Sequence, residues 1–237
     1  MHLGEHDIKR WLPISKRPDV WTWSRTSRDF FDLRMTALRL KDGSLLVVSP
    51  VPNPGEEAFQ ELEALGPVTV LCAPNHYHNL GIKPFLERFP KARCVASPQA
   101  IPRLQKMTGI PFEPWTQIQE HLPDGITLTE PEGLKAGELW LEVSGHQPDG
   151  NILIVCDAFF NMHDSKSMLW SLIFRLGGSM PGLKVSRVFR LIGMSDRKRY
   201  KTWVTHRWQS FEPELLVPAH GDFYASSALS EELLELI

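Results

Sequence analysis

The sequence predicts a layered α/β sandwich, and three observations carry that expectation. Strand-like and helix-like patterns alternate along the chain rather than segregating into blocks. Strands lead each half, first near Met35 and again near Leu139. Five side chains able to bind a metal each come directly after an apolar, strand-like run.

The elements follow in order. Residues 1–30 are rich in Trp and basic side chains, and Pro13 and Pro18 interrupt them. They read as an irregular N-terminal arm with a short strand near residues 20–23. Residues 35–40 and 45–49 are two strands joined by the turn Lys41-Asp42-Gly43-Ser44. An amphipathic helix over residues 56–65 places Phe59, Leu62 and Leu65 on one stripe and stops at Gly66. Residues 68–72 are short, apolar and β-branched, the pattern of a buried strand. A helix at 84–89, a strand at 93–96 and a helix at 98–106 come next, with Pro84 tolerated in a first turn. The second half opens with strands at 139–143 and 152–156 around Asp149-Gly150-Asn151. Helices at 167–175 and 197–208, a strand at 215–217 and a helix at 230–236 complete the chain. No repeat or long linker divides it, so the reading is one domain over residues 1–237.

Composition narrows the function classes. With 237 residues, 42% hydrophobic and 23% charged, the chain can bury a sizeable core. A net charge of -2 gives no overall pull toward nucleic acid or an anionic membrane. No apolar run reaches the ~18 residues that span a bilayer. The first residues are polar and lack the apolar stretch of a signal peptide. Cys72, Cys94 and Cys156 are odd in number, lie in apolar runs and have no zinc-motif spacing. They read as buried thiols in a reducing compartment, and the expected location is the cytoplasm.

The chemistry gathers at strand ends. His76 and His78 follow the strand at 68–72 after the link Ala73-Pro74-Asn75. In an extended segment, residues two apart point the same way, so both imidazoles could reach one ion. His146 follows the strand at 139–143, Asp157 ends the strand at 152–156, and His220 lies just beyond the strand at 215–217 in Pro218-Ala219-His220-Gly221-Asp222. A lone His is more often a surface or hydrogen-bonded core residue, and His-x-His alone is only moderately specific. The ordered set of five is considerably stronger. His2, His6, His121, His163 and His206 have no comparable context, with His163-Asp164 held as a reserve pair.

The order His-x-His, His, a strand-ending Asp and then His-Gly in Pro-Ala-His-Gly-Asp resembles the metallo-β-lactamase superfamily, from about Met35 onward. The resemblance implies a four-layer αβ/βα sandwich with metal at one edge. Asp157-Ala158-Phe159-Phe160-Asn161 and Ala73-Pro74-Asn75 are most similar to an uncharacterised branch of that superfamily. The family motif H-x-H-x-D-H is incomplete, because Leu80 stands in place of its aspartate and Gly81 in place of its last histidine. By resemblance, His76, His78 and His146 with a bridging Asp157 complete a first site. The second keeps only Asp157 and His220, too few for tight binding. One metal ion is therefore expected, with zinc favoured over iron and an empty site as the remaining alternative.

These readings imply a metal-dependent hydrolase of a small ester-like or anionic substrate. Asp157 would orient water and His220 would serve as a proton donor. A mononuclear iron oxidoreductase and a non-catalytic ligand- or partner-binding relative are the alternatives. Residues 166–207 carry ten Lys or Arg against Asp196 alone, yet show no interleaved stacking aromatics. A solvated basic face is the better reading, so no nucleic-acid partner and no membrane partner is expected. The apolar segment Met168-Leu169-Trp170-Ser171-Leu172-Ile173-Phe174 reads as a core helix, a pocket wall or the contact of a homo-oligomer.

Overall fold

The computed structural model describes residues 9–14, 17–26, 32–145, 150–163 and 168–237, without the side chain of Trp170. Seven strands form the first sheet in chain order: β1 (Leu12–Ile14), β2 (Arg17–Thr26), β3 (Asp32–Arg39), β4 (Leu45–Val48), β5 (Val68–Cys72), β6 (Arg93–Ala96) and β7 (Glu113–Pro114). The pairs from β1 to β4 are antiparallel, and those from β4 to β7 are parallel. Parallel neighbours need crossovers, which α1 (Glu56–Leu65), α2 (Ile82–Arg88) and α3 (Ile101–Thr108) supply.

The second sheet contains β8 (Ile126–Thr129), β9 (Trp140–Val143) and β10 (Asn151–Val155). A separate ribbon pairs β11 (Phe160–Met162) with β12 (Gly182–Lys184), and α4 (Met168–Leu176) lies between them in sequence. After α5 (Arg197–Arg207), β13 (Pro213–Pro218) and β14 (Tyr224–Ala225) complete the second sheet, in the order β14-β13-β10-β9-β8. The helix α6 (Leu229–Leu236) follows.

Alternation along the strands builds the layers. Leu46, Val48, Val70 and Cys72 face Leu141, Val143, Ile152 and Ile154, and this is the core between the two sheets. Leu45, Val47 and Leu71 point the other way and pack under Leu62, Phe85 and Leu104 of α1, α2 and α3. On the far side, Leu153 and Val155 pack against Tyr200, Val204, Leu229 and Leu233 of α5 and α6. Helices, sheet, sheet and helices make the four-layer sandwich. Strands buried on both faces explain why 45–48, 68–72 and 152–155 read as apolar runs but for Thr69.

Two regions differ from the sequence reading. Of the N-terminal arm, residues 12–14 and 17–26 are strands that extend the first sheet, rather than an irregular segment with a short strand near 20–23. Trp21 and Trp23 are buried there, so the Trp-rich stretch is core. The short strands β7, β8, β11, β12 and β14 were not expected. At two to four residues each, they are too short for periodicity to reveal.

Candidate metal centre

The site begins with a bend that the apolar pattern of β5 does not announce. After β5, the Asn75 side-chain oxygen accepts hydrogen bonds from the backbone N–H of Tyr77 (2.8 Å) and His78 (3.0 Å). That local turn replaces the extended chain assumed from sequence, so His76 and His78 do not share a direction. The His78 ring meets Ser49 Oγ through Nδ1 at 2.9 Å and turns Nε2 toward Asp157 and His220. Ser49 itself holds φ at 57°, a left-handed conformation that non-glycine residues rarely adopt outside constrained sites.

Asp157 lies just beyond β10, in a bend set by Glu138. The buried Glu138 carboxylate accepts the backbone N–H groups of Cys156, Asp157 and Ala158, each at 3.1 Å. Asn75 then donates its side-chain N–H to Asp157 Oδ2 at 2.7 Å, leaving Oδ1 for the histidines. Burial alone would raise the Asp157 carboxyl, but His78 and His220 beside it hold it well below the usual carboxylate range. His78 is opposed in the same way: burial disfavours its charge, while Asp157 raises its pKa above the ordinary value.

His220 follows β13. Its Nδ1 lies 2.8 Å from the Asp32 carbonyl, which can only accept, so that nitrogen carries the proton and Nε2 carries a lone pair. Phe160 stacks on the ring at 5.3 Å with an 8° interplanar angle. Gly221 has φ of 92°, and a Cβ there would stand 2.0 Å from the Asn161 carbonyl oxygen, so this backbone crossing requires glycine.

The three side chains converge. His78 Nε2 and His220 Nε2 are 3.2 Å apart, and Asp157 Oδ1 is 3.4 Å from each. A tetrahedral zinc site with bonds of about 2.0–2.1 Å has ligand–ligand edges of about 3.3–3.4 Å. Two imidazole nitrogens this close, beside one carboxylate, form a group able to hold a metal ion. Each histidine also places its other nitrogen on an outer hydrogen-bond partner, as metal-binding histidines do. Among the described residues, this is the group of His, Cys, Asp and Glu that fits a metal ion.

The structure thus brings together His78, Asp157 and His220. His76 stands outside that cluster. Its ring is buried against Tyr77, with centroids 4.1 Å apart, and its Nε2 has no hydrogen-bond partner among the described residues. Burial and then Arg103 lower its pKa. His146 and Asp164 lie outside the described residues. Sequence reasoning missed the roles of Asn75, Ser49, Glu138 and the Asp32 carbonyl. Only Asn75 carried a signal, since an Asn two or three residues ahead of a ligand is a turn-forming residue.

The cluster forms the polar end of a cavity of about 490 Å³. Arg34 and Ser49 join it there, and Val51, Tyr77, Phe160, Ile173, Phe174 and Val188 supply much of an apolar wall. The segment 168–174 therefore gives the pocket two of its side chains, Ile173 and Phe174. The basic residues of α5 are largely engaged: Arg199 with Glu132, Arg207 with Glu142, and Lys201 with the Leu234 carbonyl.

Two predictions arise from this geometry. Asn75→Ala frees both Asp157 and the bend that carries His78, and should weaken metal affinity by about 10–100-fold in a chelator-competition titration. Unchanged affinity would show that Asn75 positions neither ligand. The second concerns Leu80 and Gly81, where the family motif has ligands. Leu80 is 71% exposed, so Leu80→Asp should fold normally. A Cβ on Gly81 would stand 1.9 Å from the Pro50 carbonyl oxygen. Gly81→Ala should therefore cost about 1–3 kcal/mol in urea unfolding, and Gly81→His more. A double change toward the resembled motif should therefore be opposed by backbone packing at 81. A Gly81→Ala protein as stable as the wild type would refute this.

No family model matches the sequence, and no curated protein is significantly similar to it. Solved structures do match. A point mutant of a flavo di-iron protein from Thermotoga maritima superposes with a TM-score of 0.61 at 13% identity, over 95% of this chain and 59% of that one. This chain therefore spans well under two thirds of that protein. The metallo-β-lactamase FIM-1 from Pseudomonas aeruginosa, in its mono-zinc form, gives 0.60 at 13% identity over 98% of this chain and 96% of that one. VMB-1 gives 0.60 at 10% identity, over 96% of both chains. At such low identity the likeness concerns the fold alone, and it agrees with the four layers. The chain has the metallo-β-lactamase fold.

Proposed function

We propose that the protein binds one transition-metal ion through His78, Asp157 and His220 and acts as a metal-dependent hydrolase of a small ester-like substrate with a largely apolar body. The observation that carries this reading is the triangle of ligand atoms, 3.2–3.4 Å on each side, at the polar end of the 490 Å³ cavity. When bound, the ion would supply Lewis acidity toward an ester carbonyl and toward water. The protein's own groups do the rest. Ser49 and the Asp32 carbonyl hold the two imidazoles by Nδ1, with both Nε2 atoms turned inward. Asn75 holds Asp157 Oδ2, so one carboxylate oxygen faces the cluster. With both ring nitrogens engaged, His220 serves as a ligand rather than as the proton donor expected from sequence. Ile173, Phe174 and Val188 line the apolar part of the cavity and receive the substrate body. Arg34 lines the same cavity, and its Nη1 donates to the Pro218 and Gly221 carbonyls on either side of His220, which braces that loop.

Two histidines and one carboxylate also suit Fe(II), and the fold is shared with a flavo di-iron protein. Elemental analysis of protein purified without added metal separates the readings. One zinc per chain, with ester turnover removed by a chelator and restored by zinc, is the expected result. One iron per chain would favour the oxidoreductase. Two fully occupied ions, or a persistently empty site, would overturn the proposal.

A further inference from the structure

We propose that the rim of this cavity docks on an anionic lipid surface. Among the described residues, ten large hydrophobic side chains are exposed, and all but Met107 belong to Leu80, α4 or the segment 188–192. Met168 is 92% exposed and Leu191 77%. Such crowding of exposed apolar side chains is unusual for an isolated soluble protein and marks a contact surface. The patch is continuous with the cavity, because Leu80, Ile173, Val188 and Ile192 both line it and stand exposed at its edge. The structure also shows how lightly α4 is held. Phe174 is its buried anchor, packed with Phe160, Met162 and Met180, while Met168, Leu169, Leu172 and Leu176 face outward.

Charge decides the occupant. Residues 168–192 carry four Lys or Arg and no acidic residue, although the whole chain is at -2. Arg175 is exposed on α4 itself. Arg187 is exposed beside it, its side chain over Gly178 and its N–H bonded to the Gly177 carbonyl. A second copy meeting this face across a two-fold axis would set these guanidinium groups against their own equivalents. Anionic headgroups would instead neutralise them while the leucines enter the headgroup–acyl boundary. The proposal departs from the expectation of no membrane partner, which rested on the net charge of the whole chain and on the lack of a long apolar run. Among the described residues no helix is long and apolar enough to cross a membrane, and the contact proposed is with the surface. The cavity mouth would then open onto lipid, the source of an apolar substrate body.

The test needs no catalysis and so stands apart from the hydrolase reading. The full chain is sedimented with vesicles of phosphatidylcholine alone, and with vesicles of equimolar phosphatidylcholine and phosphatidylserine. Binding to the second and much weaker binding to the first are expected. Arg175→Gln with Arg187→Gln should weaken that binding about thirty-fold. Leu172→Ser with Leu191→Ser should weaken it at least about tenfold. All four side chains are exposed, and circular dichroism checks that the variants fold. Absence of binding to either vesicle would overturn the proposal. So would a dimer in sedimentation velocity that the leucine variant dissolves, which would assign the face to a second copy.

Discussion

Asp157→Asn should strip the protein of metal, lowering affinity by about a hundredfold or more while the fold survives. The carboxylate is the one anionic ligand in the cluster, and its Oδ1 sits 3.4 Å from both imidazole nitrogens. An amide of the same shape keeps the acceptor that Asn75 needs at 2.7 Å, so the bend after β10 has no reason to move. Its NH2 group would face the two Nε2 lone pairs and donate to them, which satisfies the metal-free site and opposes metal entry. Charge loss and this new competition act in the same direction. Chelator-competition titration reads the affinity, and thermal unfolding within a few degrees of wild type would confirm the fold. The control is His76→Ala, which should leave metal binding nearly unchanged because His76 stands outside the cluster. The opposite pattern, with His76 essential and Asp157 dispensable, would move the ion to the site that the His-x-His spacing suggested and sink the present assignment.

The sequence was legible where burial imposes a simple period. Residues 45–48, 68–72 and 152–155 are apolar but for Thr69, because helices cover one side and the opposing sheet the other. The helix at 56–65 announced itself by its stripe and by Gly66. The four layers were implied by the resemblance of the ligand order to the metallo-β-lactamase superfamily. Geometry inside the loops was not legible. His76 and His78 look like partners only if the chain is extended, and the side chain of Asn75 bends it. Leu80 and Gly81 read simply as missing ligands, yet Gly81 is fixed by a backbone contact with Pro50 that leaves no trace in local sequence. The α4 segment read as a core helix, a pocket wall or an oligomer contact; the structure puts Ile173 and Phe174 in the cavity lining and leaves Met168, Leu169, Leu172 and Leu176 exposed.

Glu138→Ala should cost about 4 kcal/mol or more, a large share of the ~5–15 kcal/mol by which domains are usually stable. Glu138 is fully buried, and its carboxylate accepts four N–H groups: those of Cys156, Asp157 and Ala158, and the indole of Trp140 at 3.2 Å. Alanine would leave all four donors in a dry interior, at about 1–3 kcal/mol each before relaxation. Part of that loss is returned, because burial and repulsion from Asp157 already push the Glu138 acid up to about 7 while the backbone N–H groups pull it down. Removing the group relieves that strain on the carboxylate, which is why the net estimate stays near the lower end of the sum. Glu138→Gln keeps the shape and an acceptor oxygen for the donors on Oε1, namely Trp140, Cys156 and Ala158. Its NH2 would then meet the N–H of Asp157, donor against donor, where Oε2 now accepts. A smaller loss of about 1–3 kcal/mol is expected, together with weaker metal binding because the bend carrying Asp157 shifts. Urea unfolding of the metal-free proteins measures both variants without interference from the ion. If Glu138→Ala unfolds within about 1 kcal/mol of wild type, four buried N–H groups have found other partners and Glu138 does not hold the bend.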